Sequence, residues 1–384
     1  MKEKLQSEEG AGSVVKGLEN VVVGTSRLSY IDGQRGRLAY RGFTIQDLAA
    51  EASYEEVAYL LWNGALPDRE QLAALRSAFA SEGVLPSEIH GLIRSAPRTK
   101  PPMEVLRTAV SALSLHDEEA SDLALEANRR KAIRLTARVA GIVAATHRLQ
   151  NGKEPLAPRA DLSHAGSFLY CVTGALPDAR RERMFDVALV LHADHGFNAS
   201  TFAARVTAAT LSDIYSAVTS AVGTLMGPLH GGANEKVIKM LLEVGEPSRV
   251  ERYVREALSR RERIFGFGHR VYKVEEPRAT VLRELSREAG ELAGDLRWHE
   301  ISRKLEEVLM REKGLFPNVD FYSAPFYHSL GLPSSLFVPV FAVSRIAGWT
   351  AHLLEQYADN RLIRPRSQYL GAPIGQPWVR LEER

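Results

Sequence analysis

The sequence predicts an all-α fold with a small N-terminal β element. Apolar residues recur at helical spacing in one segment after another beyond residue 50, and helix-capping residues precede several of these segments. Strand and helix patterns do not alternate along the chain, and no solenoid repeat is present. The length of 384 residues is large for one core and small for three, so we expect one large and one smaller domain.

The β-like runs are confined to the segment 20–42. Asp32, Gly33 and Gly36 separate the last two runs, and turn residues between short apolar runs predict a hairpin. The runs are 21–23, 27–31 and 37–40. This segment is too short to form a domain of its own.

Helical patterns fill the rest of the chain. Ser53 and Glu56 have capping-box spacing before the first helix, which Gly64 closes, and Asp68 is placed to cap the second. The segment 131–149 is apolar on most sides, which is typical of a buried central helix. The predicted helices are 53–64, 68–83, 103–115, 131–149, 178–195, 213–226, 232–244, 249–261, 278–313 with a break near 290–294, and 335–357.

Three glycine-rich stretches interrupt these helices and indicate the domain boundaries. The stretches are 227–233, 266–270 and 331–333. We place the small domain at 226–331, between the first and the third stretch. The large domain is then expected to consist of 1–225 and 332–384.

Charge and composition exclude several classes of function. The formal net charge is +2, from 49 basic and 47 acidic residues, whereas nucleic-acid and membrane-surface proteins need a basic excess. The one cysteine, Cys171, permits neither an internal disulfide nor a cysteine metal site. The segment 1–10 is charged and has no apolar core of a leader peptide, and no run approaches the length of a membrane span. We expect a cytoplasmic protein without nucleic-acid or membrane partners.

Two histidines lie in glycine-framed loops. His230 lies within 227–232, and His269 closes 266–269. Glycines let the backbone approach a ligand closely, and loops of this kind often carry catalytic groups. A turn histidine chosen for its hydrogen bonds explains either case alone, but the repeated pattern favours a functional role for both.

Three charged residues have unusual apolar neighbours. Asp320 lies between Val319 and Phe321, where desolvation would raise its pKa as suits a general base, although a helix N-cap is the common alternative. Arg345 lies inside an apolar helix and needs an anion partner, which a ligand carboxylate could supply. Arg278 begins a helix beyond the His269 loop and could serve likewise.

Other motifs argue against a bound metal or nucleotide cofactor. His192 and His195 are one helical turn apart, but they lack the usual zinc-motif glutamate and a third ligand, so we expect no metal site. One of them can be structural while the other faces a cleft. The segment 266–271 lacks the third glycine of a dinucleotide fingerprint, and the chain has neither a P-loop nor a hydrolase nucleophile elbow.

Five stretches together resemble the citrate synthase family, in the family's order and spacing. They are LHADHGFNAST at 191–201, GPLHGGAN at 227–234, GFGHRVYK at 266–273, PNVDFYS at 317–323 and RLIRPR at 361–366. The resemblance covers about Gly24 to Gly371. It implies a homodimer of mostly helical subunits whose two domains close over oxaloacetate and an acyl-CoA. It also implies an acyltransferase that needs no cofactor, because the coenzyme A thioester is a substrate.

The resemblance assigns the site residues by position. His230, His269 and Asp320 match the family's catalytic triad: Asp320 would remove the α-proton of the acyl-CoA, His230 would hydrogen-bond the thioester oxygen, and His269 would donate to the oxaloacetate carbonyl. The oxaloacetate ligands are matched by His195, Arg278, Arg345 and, from the partner subunit, Arg364. The CoA loop is matched by Arg263, Ile264, Phe265, Gly266 and Phe267, with Lys273 as a further match for a CoA phosphate.

The chemistry is consistent with these residue types. A thioester α-proton is weakly acidic, so a carboxylate can remove it only if charge on the oxygen is stabilised at once. The dianionic substrate accounts for arginines in a chain of nearly zero net charge. The departures from the family pattern, such as Glu276 where Asp is usual, lie beside the motif positions and bear on substrate preference.

Three other functions stay open from the sequence. A 2-methylcitrate synthase, which uses propionyl-CoA, has the same fold and triad, and one methylene is worth only about 1–3 kcal/mol of discrimination. Leu229, Phe321 and Tyr322 favour the citrate enzyme. A non-catalytic helical scaffold of the same fold and a lyase acting on citryl-CoA are the remaining alternatives.

Overall fold

The structure is a computed structural model that describes residues 14–384. Contacts along the chain divide these residues into two compact units. One unit, the helical body, spans Ser26–Arg361. The other consists of 14–25 and 362–384, with short 3-10 helices at Lys16–Leu18 and Leu381–Glu383. The predicted absence of a leader in 1–10 lies outside the described residues, and the predicted domain limits at 226 and 331 stay a prediction.

The helical body confirms the predicted all-α class. Its three-stranded antiparallel sheet has the order β1-β2-β3, with strands β1 Ser29–Asp32, β2 Arg37–Tyr40 and β3 Phe43–Thr44. The sixteen helices of the described chain are α1 Ile45–Glu51, α2 Tyr54–Asn63, α3 Arg69–Glu82, α4 Ser87–Ser95, α5 Pro102–Leu113, α6 Leu125–Gln150, α7 His164–Thr173, α8 Ala179–His192, α9 Ala199–Ala208, α10 Ile214–Leu225, α11 Ala233–Val244, α12 Val250–Ser259, α13 Pro277–Ala293, α14 Arg297–Lys313, α15 Val319–Ser329 and α16 Phe337–Ala358.

The predicted hairpin is confirmed, and its turn packs closely on another loop. Tyr30 pairs with Ala39 across β1 and β2. In the turn, the Gly33 carbonyl accepts a hydrogen bond from the Lys273 N–H at 2.8 Å. A Cβ on Gly33 would lie 2.2 Å from the carbonyl oxygen of Val271, so glycine is required for this approach. The expected β run at 21–23 is wrong, because that segment has no strand.

Capping explains where several helices begin. Ser53 and Glu56 form the predicted capping box of α2, and Gly64 ends that helix with φ +83°. Asp68 caps α3 through the backbone N–H of Gln71. The break predicted near 290–294 is confirmed by the end of α13 and the start of α14.

Short helices escaped prediction for identifiable reasons. The sequence patterns did not predict α1, α4, α7, α9 and α15. Pro325 lies inside α15 and masks its helical pattern. The central helix α6 is also longer than predicted, since it begins at Leu125 and not at residue 131. Local signals were nevertheless present in α1, α7 and α9, which begin at the side-chain N-caps Thr44, Ser163 and Asn198.

Helix α16 is the centre of the core. It packs against α2, α6, α8, α9 and α10. The segment Ser334–Ala358 is long and apolar enough to cross a membrane by length and composition, which corrects the expectation that no run has that length. The hydropathy window is completely buried inside the protein, as in the core helix of a globular domain.

Candidate active site

The first cluster of polar groups forms at the amino end of α13. Arg278 is buried against the carboxylate of Glu276, whose Oε1 accepts from Arg278 Nε at 2.5 Å and also contacts Nη2. The second oxygen, Oε2, accepts from the backbone N–H of Val319 at 2.8 Å. The remaining nitrogen, Arg278 Nη1, is buried and has no hydrogen-bond partner within residues 14–384. Burial alone would lower the pKa of Arg278, but Glu276 raises it.

Asp320 lies one residue inside α15. Asn318 is the N-cap, and its side-chain oxygen accepts from the Asp320 N–H at 3.1 Å, so the alternative that Asp320 itself caps the helix is wrong. The Oδ1 atom of Asp320 is buried and has no hydrogen-bond partner among the described residues. Burial, followed by the charge of Glu276, raises the pKa of Asp320 to about 7. The carboxyl group can therefore exchange a proton near neutral pH, as a general base must.

Backbone hydrogen bonds join the His269 loop to the segment before Asp320. The Gly268 N–H donates to the Phe316 carbonyl at 2.9 Å, and the Asn318 N–H donates to the Gly266 carbonyl at 2.9 Å. The Asn318 side chain also donates to the Gly268 carbonyl at 3.0 Å. Gly266 and Gly268 have φ of +84° and +74°, which favours glycine at both positions. The two loops are thus one unit, although some fifty residues separate them in sequence.

His269 faces His195 and Tyr272. The two histidine rings are 5.5 Å apart between centroids, and the Tyr272 hydroxyl lies 3.2 Å from His195 Nε2. His269 Nδ1 accepts from the backbone N–H groups of Val271 and Tyr272 at 2.9 and 3.2 Å. Burial lowers the pKa of His269, so the ring is neutral at neutral pH. Its proton therefore resides on Nε2, which can donate to a ligand.

His230 belongs to a second cluster, formed with Ser200 of α9 and Trp349 of α16. His230 Nε2 lies 2.8 Å from the Ser200 hydroxyl oxygen and 3.3 Å from the Ser200 N–H. The indole N–H of Trp349 donates to the same hydroxyl at 3.0 Å. Because a backbone N–H can only donate, His230 Nε2 must accept this hydrogen bond, and the proton of the neutral ring is therefore on Nδ1. Burial, followed by the charge of Arg345, lowers the pKa of His230 to about 4 and keeps the ring neutral.

Arg345 connects the two clusters electrostatically. Its side chain is 1% exposed, its Nε donates to the His192 carbonyl at 2.6 Å, and its guanidinium lies 4.7 Å from the centroid of Phe341. Within residues 14–384 no carboxylate lies within 4 Å of this cation. Burial, followed by Arg278, lowers the pKa of Arg345 to about 10, so it remains charged at neutral pH. Its charge acts on both His230 and Asp320.

His192 and His195 are both buried, and the expectation that one of them faces a cleft stays a prediction. His192 is completely buried, its Nδ1 contacts the Ala188 carbonyl at 2.7 Å, and burial lowers its pKa to about 3. Burial lowers the pKa of His195 well below its usual range. In the part of the chain that the structure describes, no group of three or more His, Cys, Asp or Glu side chains could hold a metal ion.

The predicted CoA loop runs into the His269 loop. Phe265 lies between two cations, with Lys236 Nζ 4.5 Å and the Arg263 guanidinium 5.6 Å from its ring centroid. Lys273 Nζ contacts the Arg270 carbonyl at 3.4 Å. The predicted loop residues Arg263, Ile264, Phe265, Gly266 and Phe267 are therefore continuous with the first cluster. Arg364 belongs to the other compact unit, formed by 14–25 and 362–384.

Four supporting residues were not identified from the sequence. Ser200, Tyr272 and Asn318 contact predicted site residues through their side chains, and Trp349 contacts Ser200. The first three lie inside the motif stretches, so their position beside a candidate residue was an available signal. Trp349 lies on the helix that carries Arg345, one turn later, and only the fold brings it to His230.

Known proteins resemble this chain over almost its whole length. The family model "Citrate synthase, C-terminal domain" matches residues 17–366. Citrate synthase 2 from Bacillus subtilis is 51% identical over 373 residues, which cover 97% of this chain and 100% of that protein. A citrate synthase from Haloferax volcanii is 51% identical over 366 residues, 94% of this chain and 97% of its own. A 2-methylcitrate synthase from Mycobacterium tuberculosis is 42% identical over 358 residues, 93% and 91% of the two chains.

Solved structures agree with this result. The citrate synthase from Pyrobaculum aerophilum has a TM-score of 0.91 at 39% identity and covers 99% of this chain and 97% of that chain. A citrate synthase from Thermoplasma acidophilum, solved as a ternary complex with carboxymethyl coenzyme A and oxaloacetate, has a TM-score of 0.92 at 33% identity. This match covers 97% of this chain and 100% of that chain.

Proposed function

The chain belongs to the citrate synthase family and is an enzyme of the citrate synthase type, and we propose that it condenses acetyl-CoA with oxaloacetate at the two clusters described above. The observation that carries this proposal is a pair of buried atoms without partners, Asp320 Oδ1 and Arg278 Nη1. A buried polar atom without a partner has a free-energy cost, which a ligand can remove. Asp320 Oδ1 can accept a proton from the substrate, and Arg278 Nη1 can donate a hydrogen bond to a substrate carboxylate.

Oxaloacetate is proposed to bind first, among the cations. Arg278 and Arg345 are both buried, and neither has all of its guanidinium hydrogen bonds satisfied by a protein carboxylate. A dianion would neutralise this excess positive charge, and guanidinium groups bind carboxylates in bidentate geometry. His195 adds a neutral polar contact beside His269. Arg364 is proposed to reach the site of a partner subunit in a homodimer.

The proposed chemistry begins at the acyl-CoA methyl group. The Asp320 carboxylate removes an α-proton while His230 Nδ1–H donates a hydrogen bond to the thioester oxygen, where negative charge develops. The α-carbon then attacks the ketone carbon of oxaloacetate, while His269 Nε2–H donates a hydrogen bond to the ketone oxygen. The resulting alkoxide takes up one proton to become a hydroxyl, which balances the proton that Asp320 removed from the α-carbon. This step forms the carbon–carbon bond of citryl-CoA. Water then adds to the thioester carbonyl and the CoA thiol leaves, which gives citrate.

Both histidines are proposed to act as neutral hydrogen-bond donors. Burial lowers the pKa of both rings below the usual range of histidine. A neutral imidazole has one N–H group that can donate a hydrogen bond. Here that bond would stabilise negative charge that develops on the substrate oxygen only in the transition state. The two rings have opposite tautomers, so the hydrogen-bond donor is Nδ1–H in His230 and Nε2–H in His269.

The acyl-CoA preference is tested by a direct comparison. We expect kcat/KM to be higher for acetyl-CoA than for propionyl-CoA with oxaloacetate, because the citrate synthases from Bacillus subtilis and Haloferax volcanii are 51% identical to this chain and the 2-methylcitrate synthase from Mycobacterium tuberculosis is 42% identical. A preference for propionyl-CoA would reverse the assignment. Absence of CoA release with either thioester would favour a non-catalytic scaffold. Cleavage of citryl-CoA to acetyl-CoA without hydrolysis would favour a lyase.

Three further proposals concern the whole protein. A homodimer is supported by the family to which the chain belongs, and light scattering at several concentrations tests it. The cytoplasmic location is supported by the charge balance of the sequence. The CoA phosphates are proposed to lie near Lys273, while the adenine contacts the backbone of 263–267, since these residues adjoin the His269 loop.

A further inference from the structure

We propose that Glu276 is a positioning residue for the condensation: its buried carboxylate sets the arrangement of His269, Arg278 and the amino end of α15. The inference rests on the proposed function and extends it to a residue outside the three catalytic positions. Glu276 is one of the few carboxylates in the described chain that are almost completely buried, at 1% exposure. A charge with this burial needs several partners.

Each oxygen of Glu276 has a separate task. Oε1 pairs with Arg278 through Nε, at 2.5 Å, and Nη2. Oε2 accepts from the Val319 N–H at 2.8 Å and lies 4.0 Å from His269 Nε2. Val319 is the first residue of α15 and directly precedes Asp320. One carboxylate therefore contacts the proposed substrate-binding arginine and the start of the helix that carries the base. It also lies close to the histidine that is proposed to hydrogen-bond the ketone.

The ion pair with Glu276 leaves one nitrogen of the Arg278 guanidinium without a hydrogen-bond partner among the described residues. Glu276 occupies the Nε and Nη2 edge of the guanidinium and leaves buried Nη1 without a hydrogen-bond partner within residues 14–384. A buried guanidinium nitrogen without a partner has a free-energy cost, which a substrate carboxylate would remove. Holding one edge of the planar group fixes the direction of the other edge, so the arginine is oriented before the substrate carboxylate arrives.

Glu276 also influences the charge state of the proposed base. The charged and titratable groups that act on Asp320 come from three elements: Glu276 before α13, Arg278 in α13 and Arg345 in α16. Tyr327, on the same helix as Asp320, is affected in turn. Glu276 is the neighbour that favours the protonated carboxyl, whereas both arginines favour the carboxylate. Removing its negative charge should therefore lower the pKa of Asp320.

The test uses three variants of the full-length protein. Glu276→Gln removes the charge and keeps the shape, and Glu276→Asp keeps the charge and shortens the reach. Glu275→Gln is the matched control, because the adjacent Glu275 pairs with Arg283 and contacts none of the site residues. The measurements are kcat, and kcat/KM for acetyl-CoA at saturating oxaloacetate as a function of pH, followed by thioester absorbance. Circular dichroism and the melting temperature report folding.

We expect Glu276→Gln to lower kcat about 10- to 100-fold, as for removal of other residues that orient a catalytic group. The acid limb of its pH profile of kcat/KM should move to lower pH, because Asp320 loses its proton more readily without the negative charge of Glu276. The Asp variant should keep the acid limb of the wild type and recover part of kcat. Glu275→Gln should change kcat less than about threefold, since it removes only a partly exposed ion pair.

Two results would overturn the inference. One is a Glu276→Gln variant with the kcat and acid limb of the wild type. The other is a loss of activity with an unmoved acid limb in both Glu276 variants, which would assign the residue a purely structural role. If Glu276→Gln does not fold, the Asp variant still decides, because a folded Glu276→Asp enzyme with the kcat of the wild type would overturn the inference. Failure of the wild type to form citrate would instead reject the proposed function.

Discussion

The two clusters of the site are held in different ways. The first, which contains His269, Glu276 and Asp320, is joined by backbone hydrogen bonds between two loops and by a buried ion pair. The second, around His230, depends on the side chain and backbone of Ser200 and on Trp349. The first cluster therefore moves as one unit, whereas His230 is oriented by helices of its own. This difference suggests that the base and the ketone donor keep their spacing while the thioester donor can be perturbed separately.

The loop that carries His230 is also more open. Leu229, directly before it, is 92% exposed, whereas the residues after Asp320 are buried. An exposed loop can adapt to the acyl chain of the substrate, whereas the packed helix α15 cannot. Changes in the His230 cluster should then affect the thioester step, and changes in the first cluster should affect both substrates. The predictions below test this distinction, from the largest expected effect to the smallest.

Arg345 acts on both clusters, so its loss should have the largest effect. We expect Arg345→Met to lower kcat/KM for oxaloacetate by about 10³-fold or more, since a buried cation that pairs with a substrate carboxylate is removed. The free energy of unfolding should fall less than in the control variant described next, because no carboxylate pairs directly with Arg345, although Asp194 and Asp320 favour its charge from farther away. Steady-state kinetics and urea denaturation measure the two quantities.

Arg205→Met is the matched control for this prediction. Arg205 is also buried, but it pairs with Glu355 at 3.2 Å and contacts none of the site residues. Its replacement should lower the free energy of unfolding, because the partly buried carboxylate of Glu355 loses its partner, and leave kcat/KM within about threefold. Equal losses of stability in both variants would mean that Arg345 stabilises the fold as much as a directly paired arginine does.

Gly266→Ala should break the union of the two loops in the first cluster. A Cβ at this position would lie 2.8 Å from the Cβ of Phe321, and φ is +84°. We expect kcat to fall about 10- to 100-fold and the melting temperature to decrease, because the His269 loop must separate from α15. Gly268 has nearly the same φ, and a Cβ there would have the end of the Leu315 side chain as its nearest neighbour, at 3.9 Å.

This pair of variants separates contact from backbone strain. Both alanines have the strain of positive φ, at about 1 kcal/mol, but only Gly266→Ala meets a rigid neighbour. The difference in kcat and stability between the two variants therefore measures the close contact. Equal losses in both would mean that the packing of Gly266 on Phe321 is unimportant for catalysis.

Ser200→Ala should affect the second cluster alone. Loss of the hydroxyl leaves His230 with the backbone N–H as its one partner from Ser200, so we expect kcat to fall about tenfold with little change in KM for oxaloacetate. Ser302→Ala, in which a buried hydroxyl bonded within its own helix is lost, is the control and should change stability only. A matching change of KM for both substrates would argue that the two clusters are not independent.

Lys236→Met should have the smallest effect. The ammonium group lies over Phe265 in the proposed CoA loop, and cation–π contacts at partly exposed sites are worth about 0.5–1 kcal/mol. We expect KM for acetyl-CoA to rise about two- to fivefold, with kcat unchanged. Lys239→Met, on the same helix but exposed and paired with Glu235, should leave KM unchanged and provides the comparison.

Much of this architecture was predictable because local signals and fold agreed. The capping box of Ser53 and Glu56, the glycine at 64 and the hairpin turn at 32–36 each specify structure over a few residues, and each is confirmed. The site residues were predictable in another way, because glycine frames and apolar neighbours are unusual for histidine, aspartate and arginine. The family resemblance then assigned their roles.

The remainder depends on contacts between distant segments. No local pattern shows that the Val319 N–H meets Glu276, or that Trp349 contacts Ser200, because these pairs form only after α13, α15, α9 and α16 pack. The tautomers of the two histidines depend on the same contacts. Pro325 concealed α15 for a related reason, since a proline breaks the local pattern while tertiary packing keeps the helix intact.

Citrate formation from acetyl-CoA and oxaloacetate in the wild type and in Asp320→Asn tests the central claim most directly. Asparagine has the shape of aspartate but cannot accept the proton, so we predict a fall in kcat of about 10²- to 10⁴-fold. Because the pKa of Asp320 is raised to about 7 in the folded protein, ionisation of this carboxyl destabilises the fold. The destabilisation begins as the pH rises above the pKa of aspartate in the unfolded chain and is complete above about pH 7. The variant should therefore be at least as stable as the wild type at alkaline pH. A folded Asp320→Asn enzyme that forms citrate within tenfold of the wild-type rate would contradict the account.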